Sequence, residues 1–373
     1  MELLGDFALE TFGFMIKLGL VFLMLAMLIK LITSGLQGEH EPGSLKVTHL
    51  NESLKRQASE LKLLLLSPAA RAVAQKNEAK EQRGEEKREK KEAKREAKRE
   101  AKREAKREAK NNASNGIEHL SSQSDDQEPS EDKPRLFVLS FRGDIQASAV
   151  ESLREEITAI IQVGKPGDEV LLKLNNSGGY VHTHGLAASQ LNRLKTAGYR
   201  LTVAIDQIAA SGGYMMACVG DRIIAAPFAI VGSIGVVAQV PNVNRLLKRY
   251  DVDVELHTAG EYKRTLTVLG ENTDEGRAKF KEELHKTHDL FKDFVTTQRE
   301  GLDITRVATG ETWYGLSAVE TGLIDEIKTS DEVVLESLER FEVYELSYSR
   351  KRKIGERALS LAHNLLGGRL PES

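Results

Sequence analysis

The chain has 373 residues, with 53 Lys and Arg against 56 Asp and Glu, and a single cysteine. That length allows two ordinary domains or one with appendages. A lone Cys218 excludes an internal disulfide and cannot by itself build a zinc cage. A net charge of -3 excludes a chain that is basic throughout, but the average conceals three regions of very different composition.

Residues 12–32 read FGFMIKLGLVFLMLAMLIKLI, about the length a helix needs to cross the hydrocarbon core. Its only charges, Lys17 and Lys30, lie near the two ends, where long side chains snorkel toward the headgroups. Acidic Glu2, Asp6 and Glu10 stand where a signal peptide carries a basic region, so residues 1–36 are expected to be an uncleaved anchor in contact with membrane lipid. Residues 37–110 form a juxtamembrane and charged spacer, in which the tetrad EAKR repeats from Glu92 onward. This period sets Glu92 against Arg95 and Glu96 against Arg99 at i, i+3 on a helix. The repeat has no apolar residue larger than Ala and so no face to bury, which predicts a solvated spacer helix and no nucleic-acid partner. Residues 111–134 turn Ser, Asn and acid rich, the composition of a flexible linker.

Residues 135–348 are expected to form the globular domain. RLFVLSF, residues 147–163, EVLLKLN, residues 184–197 and RLTVAID alternate strand with helix, which predicts right-handed crossovers and a parallel sheet covered by helices. RIIAA and VDVELH read as further strands, and residues 274–299 as a long charged helix. The uncharged stretch 223–240 contains Pro227, Gly232, Ser233 and Gly235, and reads as sheet interior rather than a second span.

Ser211, in DQIAASGGYMMAC, follows a strand and opens a helix rich in small residues, where free backbone N–H groups can stabilise an oxyanion. An ordinary N-cap serine fits the same position, so the residue alone leaves both readings open. NNSGGYVHTHG supplies a second glycine turn, also at the carboxyl end of a strand. If the two turns share a crevice, the N–H groups of Gly178 or Gly179 and of Gly212 form the donor pair that a tetrahedral intermediate requires. A serine needs a base. His182 and His184 have no evident carboxylate partner in sequence, and no compact cluster completes a metal site around them. Lys263, in LHTAGEYKRTLTVLG, is the other option: burial beside Arg264 would favour its neutral form, while Glu261 acts in the opposite sense, and by its own context the residue reads as a surface lysine before it reads as a base.

The strings AASGGYMMAC, APFAIVGSIGVVAQ and ELHTAGEYKRTLTVLGENT, in this order, resemble the signal peptide peptidase A family, most closely its SohB branch of bacterial inner-membrane proteases. The resemblance implies a ClpP/crotonase-like α/β fold and a Ser-Lys dyad without cofactor or metal, with Ser211 as nucleophile and Lys263 as general base. Ser233 then matches the position that orients the lysine, and Gly178 or Gly179 and Gly212 match the oxyanion positions. It also implies a homo-oligomer acting on peptides, with signal peptides or other hydrophobic fragments as the expected class. Where the family has Ser-Pro-Gly-Gly, this chain has Asn176, Ser177, Gly178 and Gly179, so the loop lacks the fixed φ of proline.

Two rivals stand beside the peptidase: a crotonase-type enzyme acting on acyl thioesters, and a non-catalytic membrane scaffold. An excess of Lys and Arg after the span places the domain in the cytoplasm, whereas the resemblance places it on the opposite face. Residues 349–373 form a basic amphipathic tail, suited equally to an anionic membrane or to a subunit contact.

Overall fold

The computed structural model describes residues 43–67, 70, 71, 91 and 133–349. The expected span at 12–32, nearly all of the charged run, the acidic linker to residue 132 and the tail beyond 349 lie outside the described residues. Among those described, no helix is long and apolar enough to cross a membrane.

The described residues form a mixed α/β fold built on a seven-stranded sheet. Its strands, in chain order, are β1 (Ser44–His49), β2 (Arg135–Arg142), β3 (Glu169–Asn175), β4 (Arg200–Ile205), β6 (Arg222–Ala225), β9 (Glu326–Ile327) and β10 (Glu342–Ser349). Their spatial order is β1-β10-β2-β3-β4-β6-β9, and every pair is parallel except the β1–β10 edge. β2 is apolar on both faces: Phe137, Leu139 and Phe141 meet one core, Leu136 and Val138 the other. Such continuous apolar runs are what a parallel sheet covered on both sides demands.

Helices α2 (Val150–Val163) and α3 (Val181–Thr196) make the first two crossovers. α2 buries Val150, Leu153, Ile157 and Ile160 at helical spacing, and Gly164 ends it. α3 buries Ala187, Ala188, Leu191 and Leu194. The opposite face of the sheet is covered by Val333 and Val334 of α9 (Ser330–Ser337), with Leu50 and Leu54 of α1 (Leu50–Leu65) against the same cluster.

Three local features differ from the sequence reading. Residues 44–65, grouped there with the spacer, supply β1 and α1, and β1 extends the sheet along β10 from Ser44↔Ser349 to His49↔Tyr344. The expected strand VDVELH does not form: Val252 and Leu256 are exposed, and no described strand pairs with them. A short strand, β5 (Ile208–Ala210), separates β4 from the helix after Ser211; it heads a second sheet with β7 (Ile230–Gly232) and β8 (Thr312–Tyr314).

Candidate functional site

The second sheet builds the site. β5 and β7 pair in parallel, with Ala210 opposite Gly232, so the next residues of the two strands, Ser211 and Ser233, fall at neighbouring positions. The Ser211 N–H donates to the Gly232 carbonyl at 2.8 Å, and the Ser233 N–H to the Glu311 carbonyl at 2.6 Å. Both serines hold positive φ, 53° and 52°. An L-residue reaches this region at a cost of about 1–3 kcal/mol, so the surrounding hydrogen bonds enforce it. Helix α4 (Gly212–Ala217) starts immediately after Ser211 and is buried throughout. Its first N–H, that of Gly212, has no intrahelical acceptor.

The glycine turn after β3 reaches the same place. The Asn176 N–H donates to the Ile208 carbonyl at 2.8 Å, and the Ala210 N–H returns a bond to the Asn176 carbonyl at 3.0 Å. Gly178, at φ 95°, comes so close to the serine turn that a Cβ there would lie 2.8 Å from the Ala210 oxygen, the Gly212 nitrogen and Ser211 Cβ. Side chains are thus excluded at 178 by both backbone angle and space. The Gly178 N–H donates to Asn176 Oδ1 at 2.8 Å. Gly179 packs against the Ile145 backbone, and the Tyr180 N–H donates to the Ile145 carbonyl at 2.9 Å.

Ser211, Ser233, Gly178, Gly179 and Gly212 therefore gather around one pair of strand ends. Lys263 shares no described hydrogen bond with them. It is exposed, on a loop whose described bond there runs from its N–H to the Gly260 carbonyl at 3.2 Å. No hydrogen bond links Lys263 with Ser211 or Ser233 among the described residues. Next to it, the Tyr262 ring lies 4.8 Å from the Lys279 ammonium of α6 (Asp274–Gln298), which ties this loop to the long helix.

The support beneath α4 is apolar and neutral. Buried Tyr214 donates its hydroxyl to the Leu323 carbonyl at 2.8 Å, and burial pushes its ionisation far above the ordinary tyrosine range. Burial likewise pushes the Cys218 thiol up to about 12, which removes it as a nucleophile. The His182 and His184 rings do not form a pair. They stand two residues apart on α3 rather than on a strand, so His182 stacks on Tyr180 at the surface while His184 is fully buried. Among the described residues no group of three His, Cys, Asp or Glu could hold a metal ion.

Sequence reasoning passed over Asn176 and the inward direction of His184. Both belong to NNSGGYVHTHG, but polarity along a string does not say which side chain turns inward.

Residues 193–343 match peptidase family S49, and residues 6–191 match the N-terminal region of that family. A probable protease SohB of Haemophilus influenzae is 56% identical over 240 residues, covering 63% of this chain and 68% of the relative. A second probable SohB, from Buchnera aphidicola, is 55% identical over 234 residues, covering 62% and 70% of the two chains. A putative signal peptide peptidase SppA of Enterococcus faecium is 29% identical over 183 residues, covering 48% and 53%. Among solved structures, a membrane-bound stomatin-specific protease in complex with a substrate peptide covers 62% of this chain at 14% identity and a TM-score of 0.39. The chain belongs to peptidase family S49, a family of proteases.

Proposed function

We propose that the chain is a serine endopeptidase in which Ser211 attacks and Lys263 is the general base. Ser233 orients the lysine, and the tetrahedral oxyanion is held by backbone N–H groups of the two glycine turns. Gly212 supplies one donor. In the turn after β3 the Gly178 N–H is already taken up by Asn176, which leaves Gly179 as the second donor, with Gly178 holding the turn. The observation that carries the reading is the paired register that sets Ser211, at φ 53°, beside Ser233 and against Gly178.

In the reaction, neutral Lys263 accepts the Ser211 proton as Oγ adds to a peptide carbonyl. The N–H pair stabilises the oxyanion, and Lys263 returns the proton to the departing amine. Water, deprotonated by the same lysine, then releases the acyl group and regenerates Ser211. A lysine takes this role after losing its charge, which burial favours. In the single chain Lys263 is exposed, so we assign its burial to assembly of a homo-oligomer that covers this loop. Exposed Ile145, Tyr180, Val181 and Leu186 flank the glycine turn and suit extended apolar peptides. Anchoring through residues 12–32 in a bacterial inner membrane would bring such fragments near, signal peptides among them.

Labelling with a fluorophosphonate, together with hydrolysis of an apolar peptide, tests the assignment in membrane-extracted full-length protein. Ser211→Ala should abolish labelling, and Ser211→Ala and Lys263→Ala should each lower kcat/KM by on the order of 10⁴-fold or more. Full labelling and turnover in Lys263→Ala would hand the role to another base.

A further inference from the structure

Beneath the two turns lies a histidine that the proposed dyad does not use. His184, in the first turn of α3, is 0% exposed. Its ring rests on Gly212 so closely that a Cβ at that position would sit 2.5 Å from His184 Cγ. Nδ1 is 2.9 Å from the Tyr180 carbonyl oxygen, and Nε2 is 3.3 Å from Asn176 Oδ1. The side chain therefore touches both limbs of the site: the backbone that follows the nucleophile, and the residue that shapes the glycine turn.

The direction of these bonds follows from the partners and from the tautomer of the ring. A neutral imidazole carries one N–H, so the ring donates either from Nδ1 to the Tyr180 carbonyl or from Nε2 to Asn176. Asn176 Oδ1 is identified by the Gly178 N–H that donates to it at 2.8 Å, while Nδ2 faces Met216 Sδ at 3.4 Å. This oxygen only accepts, so the tautomer that bonds Asn176 carries its proton on Nε2. In that tautomer Nδ1 is an acceptor, and the Thr183 hydroxyl, 3.4 Å away, turns to donate to it in place of its 3.0 Å bond to the Tyr180 carbonyl. Turning the Asn176 amide over would set Nδ2 against the Gly178 N–H, donor against donor.

We propose that His184 is a positioning residue for the hydrolysis: its Nε2–H fixes the Asn176 amide, which holds Gly178 and thereby aims the N–H of the adjoining Gly179 at the acyl oxygen on Ser211. The inference rests on the serine-peptidase reading given above and adds to it the residue that sets the oxyanion turn. The contacts act through Asn176 and Gly178, and His184 itself reaches no reacting atom. Because the oxyanion forms after substrate has bound, a slack turn lowers kcat and leaves KM nearly unchanged.

Three substitutions separate this role from simple packing. Glutamine carries a donor near the Nε2 position, asparagine near the Nδ1 position, and leucine fills volume with neither. His184→Gln should stay within about threefold of wild-type kcat on an apolar peptide. His184→Asn and His184→Leu should lose about 10- to 100-fold, with KM within twofold. Thermal unfolding of each variant identifies any that fail to fold. A second measurement uses the wild-type chain: with ¹⁵N-histidine, two-bond ¹H–¹⁵N spectra should show a proton on His184 Nε2, the signal being assigned by its absence from His184→Gln. Unchanged kcat in the Asn and Leu variants, equal loss in all three, or an Nε2 without a proton would each overturn the inference. Ser211→Ala is run alongside: if it retains turnover, the peptidase reading itself falls, whatever the His184 variants do.

Discussion

Ser211 occupies a backbone conformation that its own side chain disfavours, and it is held there by one bond to Gly232 and by the helix that follows. Glycine at the same place has no Cβ to strain. Ser211→Gly should therefore abolish hydrolysis while changing stability by about +1 kcal/mol relative to Ser211→Ala, read as a higher midpoint in thermal unfolding. Gly212 poses the opposite constraint. Gly212→Ala drives a methyl into the His184 ring and should destabilise by about 1–3 kcal/mol, measurable by chemical denaturation. A stability equal to wild type would mean that His184 swings aside, and kcat would then report how much its placement matters.

At the scale of elements, the edge of the main sheet is tied down by a buried carboxylate. Glu156 of α2 accepts the Tyr348 N–H of β10 at 2.7 Å, and the Tyr348 hydroxyl accepts the Gly43 N–H at 3.0 Å just before β1. Desolvation pushes the Glu156 carboxyl up to about 7, against the smaller opposing effect of the Tyr348 N–H. A carboxyl raised in the folded state binds more protons than the unfolded chain between its ordinary value of 4.5 and about 7, so stability falls as pH rises through that window. The loss is on the order of 3 kcal/mol once both states are ionised. Glu156→Gln keeps an acceptor for Tyr348 without the charge. It should flatten the dependence between pH 4.5 and 7 and raise stability at pH 8, as followed by urea unfolding at each pH. The Arg299–Asp325 pair behaves in the reverse sense: the guanidinium, at 2.7 Å, and the Ile223 N–H outweigh burial and hold the Asp325 carboxyl below its usual range.

For the whole molecule, the proposed nucleophile and base sit on different parts of one chain. The serine lies on a buried platform, and the lysine on an exposed loop beside the long helix α6. If assembly brings a neighbouring copy's loop over each serine, then Ser211→Ala and Lys263→Ala, each inactive alone, should restore peptide turnover when co-expressed and co-purified as mixed oligomers. Mixed particles that stay inactive would place both residues of the dyad within one chain and call for movement of the segment 236–273 instead. Size-exclusion chromatography of full-length protein with light scattering, compared with a charge-reversed Lys279→Glu variant that unseats Tyr262, would show whether this loop governs assembly.

Much of the architecture was legible along the string, because its signals are local. Apolar runs of strand length, the spacing of Leu153, Ile157 and Ile160, and the glycines that end elements each act over a few neighbouring residues, and they mark the parallel α/β domain. The two glycine turns were equally readable as candidate chemistry, and the family strings drew Ser233 and Lys263 toward them. VDVELH carried the alternation of a strand but found no partner edge among the described strands, and SLKVTH became an edge strand because β10 offered one. Pairing is a property of two segments, which neither contains by itself. The same holds at the site: register between β5 and β7 makes Ser211 and Ser233 neighbours, and the fold of α3 against α4 turns His184 inward while His182 stays outside. Sequence determined which groups were available for the chemistry. Tertiary structure decided which of them face one another, because burial, register and the direction of each hydrogen bond are set only when distant segments close on a common core.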